Sequence, residues 1–197
     1  MHYRLILAVA AISAGACGGN PPADTTVAPT TTVAAAPLRE PDVPGADSIR
    51  ALIRDVYDVI SGPAGQQRDW DRMRSLFARH ARLSAMVPRL HPDSMRAGPR
   101  PQMVIMSVED WIERSGPFLL EQGFFEVEVF NEIERYGNVA HVWSTYESRT
   151  GAPDNAPFDR GINSFQLVWG EGRWWVWNIL WHSERAGAGT IPDRYLE

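Results

Sequence analysis

The chain has 197 residues, 44% of them hydrophobic and 22% charged, enough for one core of ordinary size and hardly two. All 19 cationic residues are arginine, which excludes Schiff-base chemistry and the P-loop lysine, and the single cysteine, Cys17, excludes intrachain disulfides and multi-thiolate metal sites. A net charge of −5 argues against a general nucleic-acid partner, which needs a basic footprint.

Residues 1–16 read as a secretory signal peptide: Arg4 supplies the positive charge, 5–12 is an apolar run, and Ser13-Ala14-Gly15-Ala16 is a small-residue stretch. That run is far shorter than the roughly 20 residues a membrane span requires. Ala14-Gly15-Ala16-Cys17 resembles a bacterial lipobox, in which Cys17 becomes the acylated amino terminus, although Ala14 stands where such boxes carry leucine. Ala14 and Ala16 also satisfy the A-x-A rule of an ordinary signal-peptidase cut at the same bond. The expected location is the bacterial cell envelope, lipid-anchored through Cys17, with a soluble exported form as the alternative. Residues 17–46 carry six prolines (Pro21, Pro22, Pro29, Pro37, Pro41, Pro44) and no aromatic residue, the composition of a disordered, semi-stiff tether.

The folded domain is expected over 47–185, with 186–197 a carboxy-terminal tail. Ile49, Leu52, Ile53, Val56 and Ile60 repeat with helical period, Asp47 or Ser48 offers a cap, and Gly62-Pro63 ends the helix. Asp69 reads as the cap of a second helix with Trp70, Met73, Leu76 and Phe77 on one face. A short strand over 81–87, a proline-rich mobile loop over 88–101 and a second short strand over 102–106 follow. Ser107 and Asp110 form a weak capping box for a third helix, which Pro117 should kink or interrupt and Gly123 closes. The remainder reads as two hairpins, 124–134 with 138–149 through Tyr136-Gly137, and 161–169 with 173–183 through Gly170-Glu171-Gly172. The class is α+β, three helices against a curved antiparallel sheet, with nothing to suggest parallel crossovers. The last strand is apolar at both even positions (Trp174, Val176, Leu180) and odd ones (Trp175, Trp177, Ile179, Trp181). Three short helices cover one face only, so the other predicts a homodimer through the outer sheet face, or else burial under the tail.

The element order, with Arg160-Gly161-Ile162-Asn163-Ser164-Phe165-Gln166-Leu167 leading through Gly172-Arg173-Trp174-Trp175 to Asn178-Ile179-Leu180-Trp181, resembles SnoaL-like proteins of the nuclear transport factor 2-like superfamily over roughly 47–185. Asp69-Trp70-Asp71, Ser107-Val108-Glu109-Asp110 and Ser144-Thr145-Tyr146-Glu147-Ser148-Arg149 add to the likeness. The resemblance implies a cone whose sheet wraps a pocket closed by helices; it leaves the reaction open, because that fold hosts isomerases, dehydratases and non-catalytic members. It also implies that Trp174 turns inward, which by alternation brings Asn178 and His182 to the pocket. Ser164 and Gln166, then Ser144 and Tyr146, are the corresponding expectations on neighbouring strands, with Tyr57, Trp70 and Phe77 completing an aromatic cavity.

Tyr146 and His182 are the candidate pair for proton transfer on a small carbonyl compound, against the commoner role of satisfied core polar groups. His141, Trp143, Thr145, Glu147 and Arg149 fall on the opposite face, where Glu147 reads as part of an ion network reaching Arg160. His80 reads as a solvated residue near a helix end and His91 as exposed in the proline-rich loop. No histidine has the helical spacing of a zinc site; Asp154, Asn155 and Asp159 read as a solvated loop without an EF-hand pattern; no dinucleotide fingerprint or serine-hydrolase elbow is present, so neither metal nor cofactor is expected. Three readings stand together: a tethered module binding a small apolar or aromatic molecule, a cofactor-independent isomerase or dehydratase, and a dimeric interaction module without ligand.

Overall fold

A computed structural model describes residues 43–89 and 100–197. The segment expected to be a signal peptide, Cys17, most of the expected tether and His91 lie outside the described residues. Helix α1 (Ala46–Ile60) buries Ile49, Leu52, Ile53, Val56, Tyr57, Val59 and Ile60 along one stripe. Its N-cap is Gly45, without a side-chain cap; Asp47 and Ser48 sit in the first turn, where Asp47 complements the helix dipole instead of capping it. Helix α2 (Trp70–Leu76) is capped by Asp69, whose carboxylate accepts from the Arg72 backbone N–H at 2.8 Å. Phe77, expected on that helix face, is instead the first residue of β1 (Phe77–Arg89), which pairs with β2 (Arg100–Met106). His80 accordingly lies exposed on a strand.

Helix α3 (Val108–Gln122) starts with both halves of the Ser107/Asp110 capping box. It runs unbroken through Pro117, correcting the expected interruption; Leu119, just beyond, is anchored in the core, and its carbonyl accepts from the Arg68 guanidinium at 3.1 Å. Arg68 is buried and also donates to the carbonyls of Ile60 and Gly62, at 3.0 and 2.6 Å. One guanidinium thereby satisfies the end of α1 and binds it to α3, and burial lowers its pKa.

Strands β3 (Phe124–Tyr136), β4 (Val139–Thr150), β5 (Asp159–Gly170) and β6 (Arg173–Ser183) complete a six-stranded curved sheet of order β2-β1-β6-β5-β4-β3. All neighbours are antiparallel except β1 and β6, which run parallel. That pair corrects the expectation of a purely antiparallel sheet: its strands are joined through β2, α3 and the other three strands, so no local crossover signals it. The helices cover one face, and the core there is built on Ile49, Ile53, Met73, Val142, Phe165 and Val176.

Two bulges decide which residues meet that core. Gln166 opposes Asn178 whereas Leu167 opposes Val176, so Trp177 is an extra residue in β6. Phe130 opposes Thr145 whereas Glu128 opposes Tyr146, so Val129 is extra in β3. Each insertion reverses the in-and-out alternation beyond it. On the far face the chain folds back after β6: the Tyr195 carbonyl accepts from Thr145 Oγ1 at 2.7 Å, and its ring meets Trp143 and Phe130 at centroid distances of 5.9 and 6.4 Å. The tail thus covers part of the outer face, and Met103, Ile105, Trp177 and Leu180 remain about half exposed.

A candidate ligand cavity with an inward carboxyl

Between the helices and the sheet lies a cavity of about 270 Å³. Its apolar walls come from α1 (Val56, Ile60), α2 (Met73), α3 (Trp111, Phe118, Leu119) and the sheet (Phe77, Leu83, Phe165, Ile179, Trp181). Phe118 and Phe158, both more than a third exposed, flank Phe124 at ring distances of 6.4 Å and mark its mouth.

The polar groups gather on the wall formed by β3, β4 and β5. Register places Glu126 opposite Ser148, and Ser148 opposite Asp159, all facing the cavity. Ser148 Oγ donates to Glu126 Oε2 at 2.7 Å. The Glu126 backbone is fixed from α1, because Ser61 Oγ accepts its N–H at 3.0 Å while donating to the Tyr57 carbonyl at 2.7 Å. Burial is the largest influence on the Glu126 carboxyl, with the nearby Asp159 adding to it against hydrogen bonds from Ser148 and Asn163, and the pKa is pushed up to about 7.

Beside it, Asn163 Nδ2 donates to Tyr57 Oη at 3.0 Å, Tyr57 Oη meets Ser144 Oγ at 2.7 Å, and Ser144 Oγ donates to Glu128 Oε1 at 2.5 Å. Ser144 has one proton and gives it to Glu128, so the Tyr57 hydroxyl donates to Ser144. The Tyr146 hydroxyl lies against Gly161, where an added Cβ would fall 2.6 Å from it. Both phenols are raised above their ordinary range, foremost by burial and then by Glu126, and remain neutral donors at physiological pH.

Of the residues expected from sequence, Tyr57, Phe77 and Tyr146 line the cavity, and Ser144 stands behind it in the Tyr57 hydrogen-bond chain. Trp70 lies outside it, packed edge-on against Trp111 at 6.4 Å. Trp174 is buried as expected but beyond the cavity, edge-on to Trp169 with its indole N–H donating to the Pro44 carbonyl.

Four placements are corrected. Asn178 and His182 face outward because the extra residue Trp177 reverses alternation after Trp174. Ser164 and Gln166 face outward because Ser144 opposes Asn163, not Ser164. His182 instead borders an outer groove with Leu180, Ile191 and Tyr195, its Nε2 donating to the Ala186 carbonyl at 3.3 Å, and Ser164 meets His141 Nε2 at 2.8 Å. On the same face Glu147 pairs with Arg149, whereas Arg160 pairs with Glu184.

The polar residues that sequence reasoning missed are Glu126, Ser148, Asp159 and Asn163. A signal for Glu126 existed in the alternation of Phe124, Glu126 and Glu128, but continuing the register of the hairpin turn, where Tyr136 opposes Val139, sends Glu126 outward; only the bulge at Val129 turns it in. No group of three or more acidic, histidine or cysteine side chains that could hold a metal occurs among the described residues.

No protein-family model and no curated protein matches the sequence. Among solved structures the chain is similar to a protein of unknown function with a cystatin-like fold from Nostoc punctiforme, at 11% identity over 74% of this chain and 92% of that one, with a TM-score of 0.50. Nuclear transport factor 2-like proteins from Cytophaga hutchinsonii (13% identity, 70% of this chain and 96% of that one, TM-score 0.49) and Silicibacter pomeroyi (13%, 70% and 93%, 0.46) also align. At such identities the likeness is one of fold, and the chain itself is α+β with a six-stranded curved, unclosed sheet.

Proposed function

We propose that the domain binds a small, largely apolar or aromatic molecule in the cavity, oriented by one polar end against Glu126. The observation that carries this reading is the cavity itself: about 270 Å³ of space, lined by nine aromatic side chains, with both of its carboxyl groups on the sheet wall. At about 30 Å³ per water it has room for about nine, which suits a ligand of about ten heavy atoms. Indole is a suitable probe, with one N–H for the carboxyl. Calorimetry is expected to give saturable binding, lost in Ser115→Trp, which fills the cavity from α3, while near-ultraviolet dichroism shows the variant folded. Indole that binds the variant equally, or not at all to the parent protein, overturns the reading.

The molecule is held at the cell envelope by acylated Cys17, with 17–46 as spacer; the chain's only cysteine standing at the cleavage bond and opening a proline-rich segment supports this. A diacylglyceryl mass on the mature amino terminus is the expected finding, and an unmodified Cys17 contradicts it. Two copies pair through the uncovered part of the outer sheet face, supported by the exposure of Met103, Ile105, Trp177 and Leu180. Sedimentation equilibrium should give a dimer that Leu180→Arg dissociates; a monomeric parent protein removes the pairing.

One observation favours a second reading. A carboxyl poised near neutrality beside the neutral Tyr146 phenol is suited to exchange a proton with a bound carbonyl compound, with Glu126 in the role expected of His182. Exchange of the α-hydrogens of 2-tetralone into deuterated water, followed by NMR, should then be accelerated by the parent protein and lost in Glu126→Gln, whereas acceleration that survives Glu126→Gln rejects the role.

A further inference from the structure

We infer that the cavity selects an organic cation: a small aromatic or aliphatic body carrying an ammonium group, which the Glu126 and Asp159 side chains face and the surrounding rings enclose. This rests on the cavity being a ligand site and names the chemical class of what it takes. Three observations converge on it. Among the lining residues the ionisable side chains other than tyrosine are both carboxylic, and none is arginine or histidine. Glu126 and Asp159 share one stretch of wall, since both oppose Ser148, one from β3 and the other from β5. The same cavity is lined by Trp111, Phe124, Tyr146, Phe165 and Trp181, side chains whose negative π-faces attract a desolvated cation.

An anionic ligand would meet two carboxyl groups with no cation to offset them. Of the two guanidinium groups beside its mouth, Arg160 is paired with Glu184, and Arg185 lies over the Phe158 ring, 5.8 Å from its centroid; neither lines the cavity. Asp159 is held in place, its Oδ1 accepting from the backbone N–H of Arg160 at 2.9 Å and of Arg185 at 3.3 Å. The same arrangement couples binding to protons. The ionisable groups facing Glu126 are Asp159 from β5, Tyr146 from β4 and Tyr57 from α1, with Glu128 farther along β3, and α3 presents none to the cavity. With a pKa of about 7, Glu126 is part protonated at neutrality, and an arriving ammonium displaces that proton, so affinity rises with pH across neutrality.

Phenyltrimethylammonium and tert-butylbenzene have the same shape and differ in charge, which separates the cation from the cavity. Calorimetry on the full chain at pH 8 is expected to show the ammonium binding tenfold or more tighter than the hydrocarbon. The gap should shrink in Glu126→Gln and in Asp159→Asn without loss of hydrocarbon binding, which reports that the cavity is intact. At pH 7, titrations in phosphate and in Tris buffer should differ in heat by the release of a fraction of a proton, and that difference should vanish in Glu126→Gln. Equal affinities, or tighter binding of the hydrocarbon, overturn the cation assignment and leave the cavity reading standing. If neither compound binds, both readings fall.

Discussion

Replacing Glu126 by glutamine should reveal a cost that the folded protein carries. In the unfolded chain this carboxyl loses its proton near 4.5, and in the native state near 7. Between those values the native state binds more protons than the unfolded state, so stability falls as pH rises from about 4.5 through 7 and is level above. A difference of about 2.5 units corresponds to about 3 kcal/mol at pH 8, at about 1.4 kcal/mol per unit. Glutamine carries no charge at any pH and keeps an oxygen that can accept from Ser148 Oγ, now 2.7 Å from Glu126 Oε2. Glu126→Gln should therefore match the parent protein near pH 4 and exceed it by about 3 kcal/mol at pH 8, a rise in Tm of about 6–12 °C for a domain of this size. Thermal unfolding followed by circular dichroism from pH 4 to 8 reads the difference directly. A pH-independent difference, or a variant weaker than the parent at pH 8, would refute the reasoning, because it would mean that the carboxyl is solvated in the native state.

Gly161→Ala should destabilise by about 2 kcal/mol, since the new Cβ would fall 2.6 Å from the Tyr146 hydroxyl and 2.7 Å from the His182 carbonyl oxygen. Adding Tyr146→Phe should bring little relief, because the ring carbon at 2.8 Å and the backbone oxygen remain; urea denaturation of the two variants checks this. Arg68→Ala strands the buried carbonyls of Ile60 and Leu119 and leaves that of Gly62 with only the Phe124 N–H, at a cost of about 3 kcal/mol or more by the same assay. Tyr57→Phe removes the hydroxyl that joins Asn163 to Ser144 and should cost about 1–2 kcal/mol with the cavity walls kept. Removal of 186–197 uncovers Trp143, which contacts Tyr195, and should shift tryptophan emission to the red; unchanged emission would place the tail elsewhere in solution.

Periodicity carries the helices well: the apolar stripe of α1, the Asp69 cap and the Ser107/Asp110 box are local features, and local features are what a sequence displays. The two hairpins are legible for the same reason. What alternation cannot supply is a single inserted residue. Trp177 and Val129 look like ordinary strand residues, yet each reverses the faces beyond it, exchanging His182 and Asn178 for Ile179 and Trp181, and turning Glu126 from solvent to cavity. Ser164 and Gln166 were displaced by a different cause, the pairing of β5 against β4, which is set by strands joined through the long 151–158 connection and not by a tight turn. The parallel pair of β1 with β6 is likewise a product of distant chain segments. Tyr146 and Ser144 were readable because β4 carries no bulge, and Ser148 continues the same alternation; Asn163 and Asp159 owe their places to register alone.

The most direct measurement is a crystal structure of the protein grown with phenyltrimethylammonium. The account predicts the molecule between α1, α3 and the sheet, its phenyl ring against Phe165 and Trp181 and its ammonium toward Glu126 and Asp159. Ligand seated instead in the outer groove beside His182, or a cavity filled by its own side chains in the crystal, would contradict it.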